Sequence, residues 1–152
     1  MIHLVGNGSK CPRVRVIGSM SFFFLLAILG SCGSGKTLEL AAHAVEQFHS
    51  QMNSEQYQAI YAASDDGLHK ATNEAEFIEL LQAIHRKLGN VQTSTRSNSQ
   101  VGAYTGQGIV VTLVYETTFK EGSGTEQFLW HVRDNQPVLL GYHINSKDLI
   151  TK

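Results

Sequence analysis

Eight residues, GSCGSGKT from Gly30 to Thr37, satisfy the pattern G-x-x-x-x-G-K-[ST]. That pattern cradles nucleotide phosphates with backbone N–H groups and offers them a lysine and a Mg²⁺-binding hydroxyl, here Lys36 and Thr37. The chemistry also requires a strand before the loop, a helix after it, and a second buried strand ending in an acid that holds Mg²⁺. The flanks FFFLLAIL and LELAAHAVEQFH suit the first two demands. No apolar run downstream ends in Asp, and the later strand patterns follow one another without intervening helices. Nucleotide binding through Gly30–Thr37 is therefore the third-ranked reading, and no nucleotide is expected.

Acid–base chemistry is the next possibility. It needs a carboxylate or histidine in an apolar pocket, with a tyrosine or neutral acid to hold a developing oxyanion. Tyr57, Tyr61, Tyr115, Trp130 and Tyr142 are the candidate lining of such a pocket, though each also suits a plain core position. On the strands no Asp falls on the inward phase, and Glu116 and Glu126 are assigned to the outward one, so no catalytic residue is assigned. His131 and His143 are expected on the outward face of neighbouring strands, close enough to approach one another. A zinc site takes three or four ligands, and no H-x-H or H-E-x-x-H spacing occurs, so neither metal nor cofactor is expected. Asp65 and Asp66, in SDDG, read first as a turn with an N-capping option. The glycines of GAYTGQG miss the dinucleotide spacing and mark a hairpin.

The 152 residues give one domain's length. Lys10, Arg13 and Arg15 stand ahead of the apolar stretch with no acid among them, whereas the chain from Cys32 onward holds 13 acids against 9 bases. An acidic body excludes a nucleic-acid surface, which needs clustered lysine and arginine. Cys11 and Cys32 are the only cysteines, so the body has no disulfide framework and no thiolate metal site or nucleophile.

The front end runs from a basic stretch through the apolar Met20–Leu29 to small residues and Cys32, the layout of a signal peptide. Its apolar centre falls short of the roughly 20 residues that span a bilayer. Leu29-Gly30-Ser31-Cys32 resembles the lipobox of bacterial lipoprotein precursors. That resemblance implies cleavage before Cys32, attachment of lipid to its thiol, and a membrane partner engaged through that lipid. Residues 1–31 then form a removed signal peptide, 32–37 the lipidated cysteine and a Gly/Ser tether, and 38–152 one domain. Gly33 after the cysteine, rather than Asp, implies by the same resemblance an exported protein on the periplasmic face of the outer membrane.

The elements of the body divide into two halves. From Leu38 to about Met52, Leu40, Ala41, Ala44, Val45 and Phe48 form a helical stripe. Asn53 with Gln56 is the expected cap of a short helix through Tyr57, Ile60 and Tyr61. Asn73–Leu88 is a helix with Phe77, Leu80, Leu81, Ile84 and Leu88 on one face, an Asn73–Glu76 capping pair and a Gly89 stop. From Val91 the period becomes two. VQTSTRS and VGAYTG read as a strand pair or one bent strand. Ile109–Phe119, TEQFLWHVR (inward Phe128, Trp130, Val132) and PVLLGYHIN (inward Val138, Leu140, Tyr142, Ile144) follow, joined by turns at KEGSG and DNQ. Helices followed by an antiparallel meander make an α+β fold. The stretch YETTFKEGSGTEQFLWHVRDNQPVLLGYHINS and this element order resemble the cone-shaped nuclear transport factor 2-like, or cystatin-like, group, and more narrowly its small bacterial secreted proteins. The resemblance implies a domain that binds a protein partner or a small apolar ligand. The alternative it implies is an isomerase- or dehydratase-like enzyme using the cone interior.

Overall fold

The computed structural model describes residues 32–104 and 108–151; residues 1–31, read above as a signal peptide, lie outside this range, as do residues 105–107. Four helices come first: α1 Cys32–Asn53, α2 Tyr57–Ala62, α3 Asp66–Ala71 and α4 Glu74–Leu88. Strands β1 Val91–Tyr104, β2 Gly108–Phe119, β3 Gly122–Arg133 and β4 Gln136–Asn145 follow, and α5 Asp148–Thr151 closes the chain. The strands form one antiparallel sheet in the order β1-β2-β3-β4, so the fold is α+β, with α1, α2 and α4 against one sheet face. Among the described residues no helix is long and apolar enough to cross a membrane.

α1 buries Ala41, Ala44, Val45, Phe48, His49 and Met52, a stripe at helical spacing. It begins at Cys32, well before Leu38, so the backbone read as a tether is helical here and Thr37 is already buried. Gln56, not Asn53, is the N-cap residue of α2. The Asn53 amide instead clamps the start of the sheet, with Oδ1 accepting from Val91 N–H at 2.8 Å and Nδ2 donating to Val91 O at 3.0 Å.

α4 is capped as its sequence predicts. Asn73 Oδ1 accepts from Glu76 N–H at 3.0 Å, and Gly89, at φ 74°, takes the positive-φ conformation that ends the helix. Phe77, Leu81, Ile84 and Leu88 are buried, but Leu80 is 42% exposed. It lies one residue off the buried row, at the stripe's margin. The C-terminal end of α4 is tied to the β2–β3 turn by Glu121 N–H donating to Leu88 O at 2.8 Å.

β1 is one long strand, with register shifts near Val91 and Arg96. The turns are tighter than KEGSG and DNQ suggested: Lys120–Glu121 joins β2 to β3, and Asp134–Asn135 joins β3 to β4 with φ of 49° and 60°. Positive φ at both central positions is the signature of the hairpin turn whose twist matches its strands. β4 departs most from simple alternation. Leu129 stands opposite Gly141 but Trp130 opposite Leu139, so Leu140 is left over as a bulge. The extra residue moves the inward positions from Val138 and Leu140 to Leu139, while Tyr142 keeps its place.

The core lies between the sheet and α1, α2 and α4. Val111, Leu113, Phe119 and Phe128 are buried at its sheet side, and Phe48 packs edge-on to Phe128 with ring centroids 5.1 Å apart.

Candidate functional site

Trp130 is 5% exposed, as its strand phase predicts, and stacks on Phe128 at 6.2 Å. Its other surroundings are incomplete. A cavity of about 140 Å³ opens between α1, α2 and the β3–β4 ladder, with Trp130, Phe48, Ile60, Leu139 and Ala44 as its floor. Gln47, Gln51, Ala63 and Pro137 form the rim. None of the lining side chains carries a charge. Gln47 and Gln51 sit one helical turn apart, so both amides reach the same mouth. The indole Nε1 of Trp130 is buried without a hydrogen-bond partner, and it is the one such side-chain atom among the described residues. The bulge at Leu140 helps shape this floor, because it brings Leu139 rather than Leu140 to the inner face beside Trp130.

Deeper in the core the structure corrects the assignment of Glu126. It stands two residues before Phe128, an even spacing, and therefore shares that residue's face. Glu126 is fully buried, whereas Glu116 is exposed on the outward face as expected. Three elements converge on the Glu126 carboxylate. Tyr142 Oη on β4 donates to Oε1 at 2.7 Å, His49 Nε2 on α1 lies 2.8 Å from Oε2, and Thr117 Oγ1 on β2 also donates to Oε2. Ser94 on β1 continues the chain, 3.1 Å from Thr117 Oγ1. Burial, then the adjacent Glu126 charge and hydrogen bond, push the Tyr142 phenol well above its ordinary pKa of 10.0. Carboxylate, histidine and tyrosine are the ingredients of acid–base catalysis. Here both carboxylate oxygens are engaged within the core, and His49 and Tyr142 are themselves buried.

The outward face holds a third cluster. Asp65 caps α3, its Oδ1 accepting from Gly67 N–H at 2.7 Å. Its Oδ2 lies 3.1 Å from His131 Nδ1 and 3.4 Å from Arg133 Nη2. Burial alone would raise the Asp65 pKa, but the Gly67 N–H, His131 and Arg133 together outweigh it and hold it below the usual carboxylate value. An open cleft of about 280 Å³ lies beside the pair, bordered by Lys70, Val110 and the bulged Leu140. The buried groups of this cluster answer one another. His131 and His143 do not meet, because the register sets His131 against Val138 and His143 against Gln127.

The aromatic residues expected to line one pocket are thus distributed over three places. Trp130 lines the cavity, while Tyr115 and Tyr142 surround the Glu126 network, Tyr115 lying edge-on to His49 at 6.5 Å. Tyr57 and Tyr61 serve the helical layer: Tyr57 Oη donates to His85 Nδ1 at 2.9 Å and Tyr61 Oη to Thr72 O at 3.1 Å. The sequence reading missed His49, Glu126, Gln47 and Gln51. Parity with Phe128 was the available signal for Glu126, and the spacing from Val45 to Met52 for His49.

Cys32 opens α1, but its side chain is outside the described range. Gly33–Lys36 are in helical backbone, which directs their N–H groups along the axis rather than around a phosphate. Among the described residues, no three His, Cys, Asp or Glu side chains converge as a metal site. The chain matches no family model and no curated protein sequence.

Proposed function

We propose that the chain is an exported lipoprotein, held in the cell envelope by acyl chains on Cys32. Its cone-shaped domain, of the nuclear transport factor 2-like kind, binds a small, mainly apolar ligand without transforming it. The pocket beside Trp130 carries this reading: a half-open hollow of about 140 Å³, lined by hydrocarbon and by the Gln47 and Gln51 amides and bare of charged side chains. A cavity of about 150 Å³ suffices for a benzene-sized guest. The state of Glu126 supports binding over turnover, because an acid–base group must reach the proton it moves. A carboxylate with no exposed surface and all its oxygens engaged has no such reach.

Titration with toluene, followed by emission of the single tryptophan, tests the ligand reading. Saturable change at sub-millimolar toluene is expected, and an unchanged spectrum up to saturation of the buffer would refute it. For the anchor, one acyl chain holds a membrane marginally and several hold it stably. The Cys32→Ala chain should therefore remain unprocessed and unlipidated, and normal processing with detergent-phase partition of this variant would end the lipobox reading.

A further inference from the structure

The half-open cleft beside Asp65 and His131 shares no lining residue with the pocket beside Trp130, and its walls are charged. Arg133, on β3, is fixed there from two sides. Its Nε donates to His131 Nε2 at 3.3 Å, and its Nη2 lies 3.4 Å from Asp65 Oδ2. Both anchoring side chains are more than nine-tenths buried, and Asp65 is held in turn by the Gly67 N–H. A guanidinium carries five N–H donors, and with 60% of the Arg133 side chain exposed, donors remain open to solvent. α3 contributes Asp66 and Lys70, one helical turn apart and both exposed. Acid and base at this spacing on a helix commonly pair. Here, among the described residues, neither side chain makes an ion pair or a hydrogen bond. Val110 and the bulged Leu140 add hydrocarbon to the lining.

A simple anion would find Arg133 and Lys70 but also the unpaired Asp66, and a simple cation would meet the reverse. A hydrocarbon guest would strip water from all three charges and return no partner. A molecule with both charges close together and an apolar tail answers the whole lining. We propose that this cleft binds a free aliphatic α-amino acid, with its carboxylate on Arg133 and Lys70, its ammonium on Asp66 and its side chain on Val110 and Leu140. Residues one turn apart on a helix stand about 5–6 Å apart at Cβ, a gap that a carboxylate and an ammonium on one carbon bridge. The arginine fork matches a carboxylate in shape as well as charge. Asp65 and His131 position that fork and do not themselves touch the ligand.

Leucine, isocaproate and isoamylamine share one hydrocarbon, the second lacking the ammonium and the third the carboxylate. Binding to the full chain is read by NMR, the Val110 and Leu140 methyls reporting this cleft and the Trp130 indole the other pocket. Leucine should move those methyls saturably at millimolar concentration and leave the indole still. Each analogue should bind about tenfold more weakly, as loss of one charge-assisted hydrogen bond implies. Asp66→Asn should bring leucine to within about twofold of isocaproate. Lys70→Gln, which leaves the Asp65 anchor intact, should weaken leucine and isocaproate together without weakening isoamylamine. Isocaproate binding as tightly as leucine would reduce the cleft to an anion site and overturn the proposal. So would the absence of methyl shifts with leucine at millimolar concentration, or a leucine response confined to the Trp130 indole. Because the two sites share no residue, failure here leaves the apolar-ligand reading untouched.

Discussion

Replacing Glu126 with leucine keeps most of the side-chain volume and removes the acceptor on which three donors converge. Thr117 retains Ser94 Oγ, 3.1 Å away, as an alternative. Tyr142 Oη and His49 Nε2, buried and now 2.7 and 2.8 Å from hydrocarbon, do not. A buried donor stripped of its partner costs about 1–3 kcal/mol, so two cost about 2–6 kcal/mol. Part of this returns because a desolvated carboxylate is also removed, which places the expected loss near the middle, at about 3 kcal/mol. Set against a total stability of about 5–15 kcal/mol, that is a large fraction. Urea unfolding followed by Trp130 emission measures it directly. The triple variant Glu126→Leu, His49→Leu, Tyr142→Phe removes donors and acceptor together, and should lie within about 1 kcal/mol of the unaltered protein, because matched apolar replacement of a buried polar group is near neutral. A single variant as stable as the original would refute the assignment of this network as a mutually satisfied core. So would a triple variant weaker than the single one.

The raised pKa of Tyr142 makes stability fall with alkali. The phenol stays neutral in the fold while the unfolded chain ionises near its ordinary 10.0, so stability is complete below that pH and is lost as pH rises through the folded value. Tyr142→Phe should flatten this alkaline limb in pH-dependent urea midpoints, and an unchanged limb would argue against it. At the acid end, Asp65 has a lowered pKa, so its contribution is present above the unfolded value of about 3.9 and disappears as pH falls through the folded one. Asp65→Asn should remove that acid-side loss together with part of the neutral-pH stability. Asn53→Leu should cost about 1–3 kcal/mol in the same assay, by leaving Val91 N–H and C=O without their clamp. Lys36→Ala should change neither stability nor nucleotide affinity, and saturable Mg²⁺-dependent ATP binding lost in this variant would revive the phosphate-loop reading.

Local pattern by itself determined the kinds of element and their order. The spacing of Phe77, Leu81, Ile84 and Leu88, with Asn73 and Gly89 at the ends, defines α4 because a helix's stripe and caps involve residues a turn or so apart. The alternation through Phe128 and Trp130 defines an inward face for the same local reason, and it already implied where Glu126 points. Tertiary structure decided what period alone does not contain. One extra residue at Leu140 exchanged the faces of β4 and placed Leu139 beside Trp130, a choice made by pairing with β3 rather than by β4's own residues. Asn53 became a clamp on Val91 instead of a cap because a partner 38 positions away offered both a donor and an acceptor. His49 and Glu126 are 77 residues apart, and only the docking of α1 on the sheet makes them neighbours. The cavity exists for a similar reason. It is the volume left where three separately determined surfaces meet, and it belongs to that meeting rather than to any one stretch of chain.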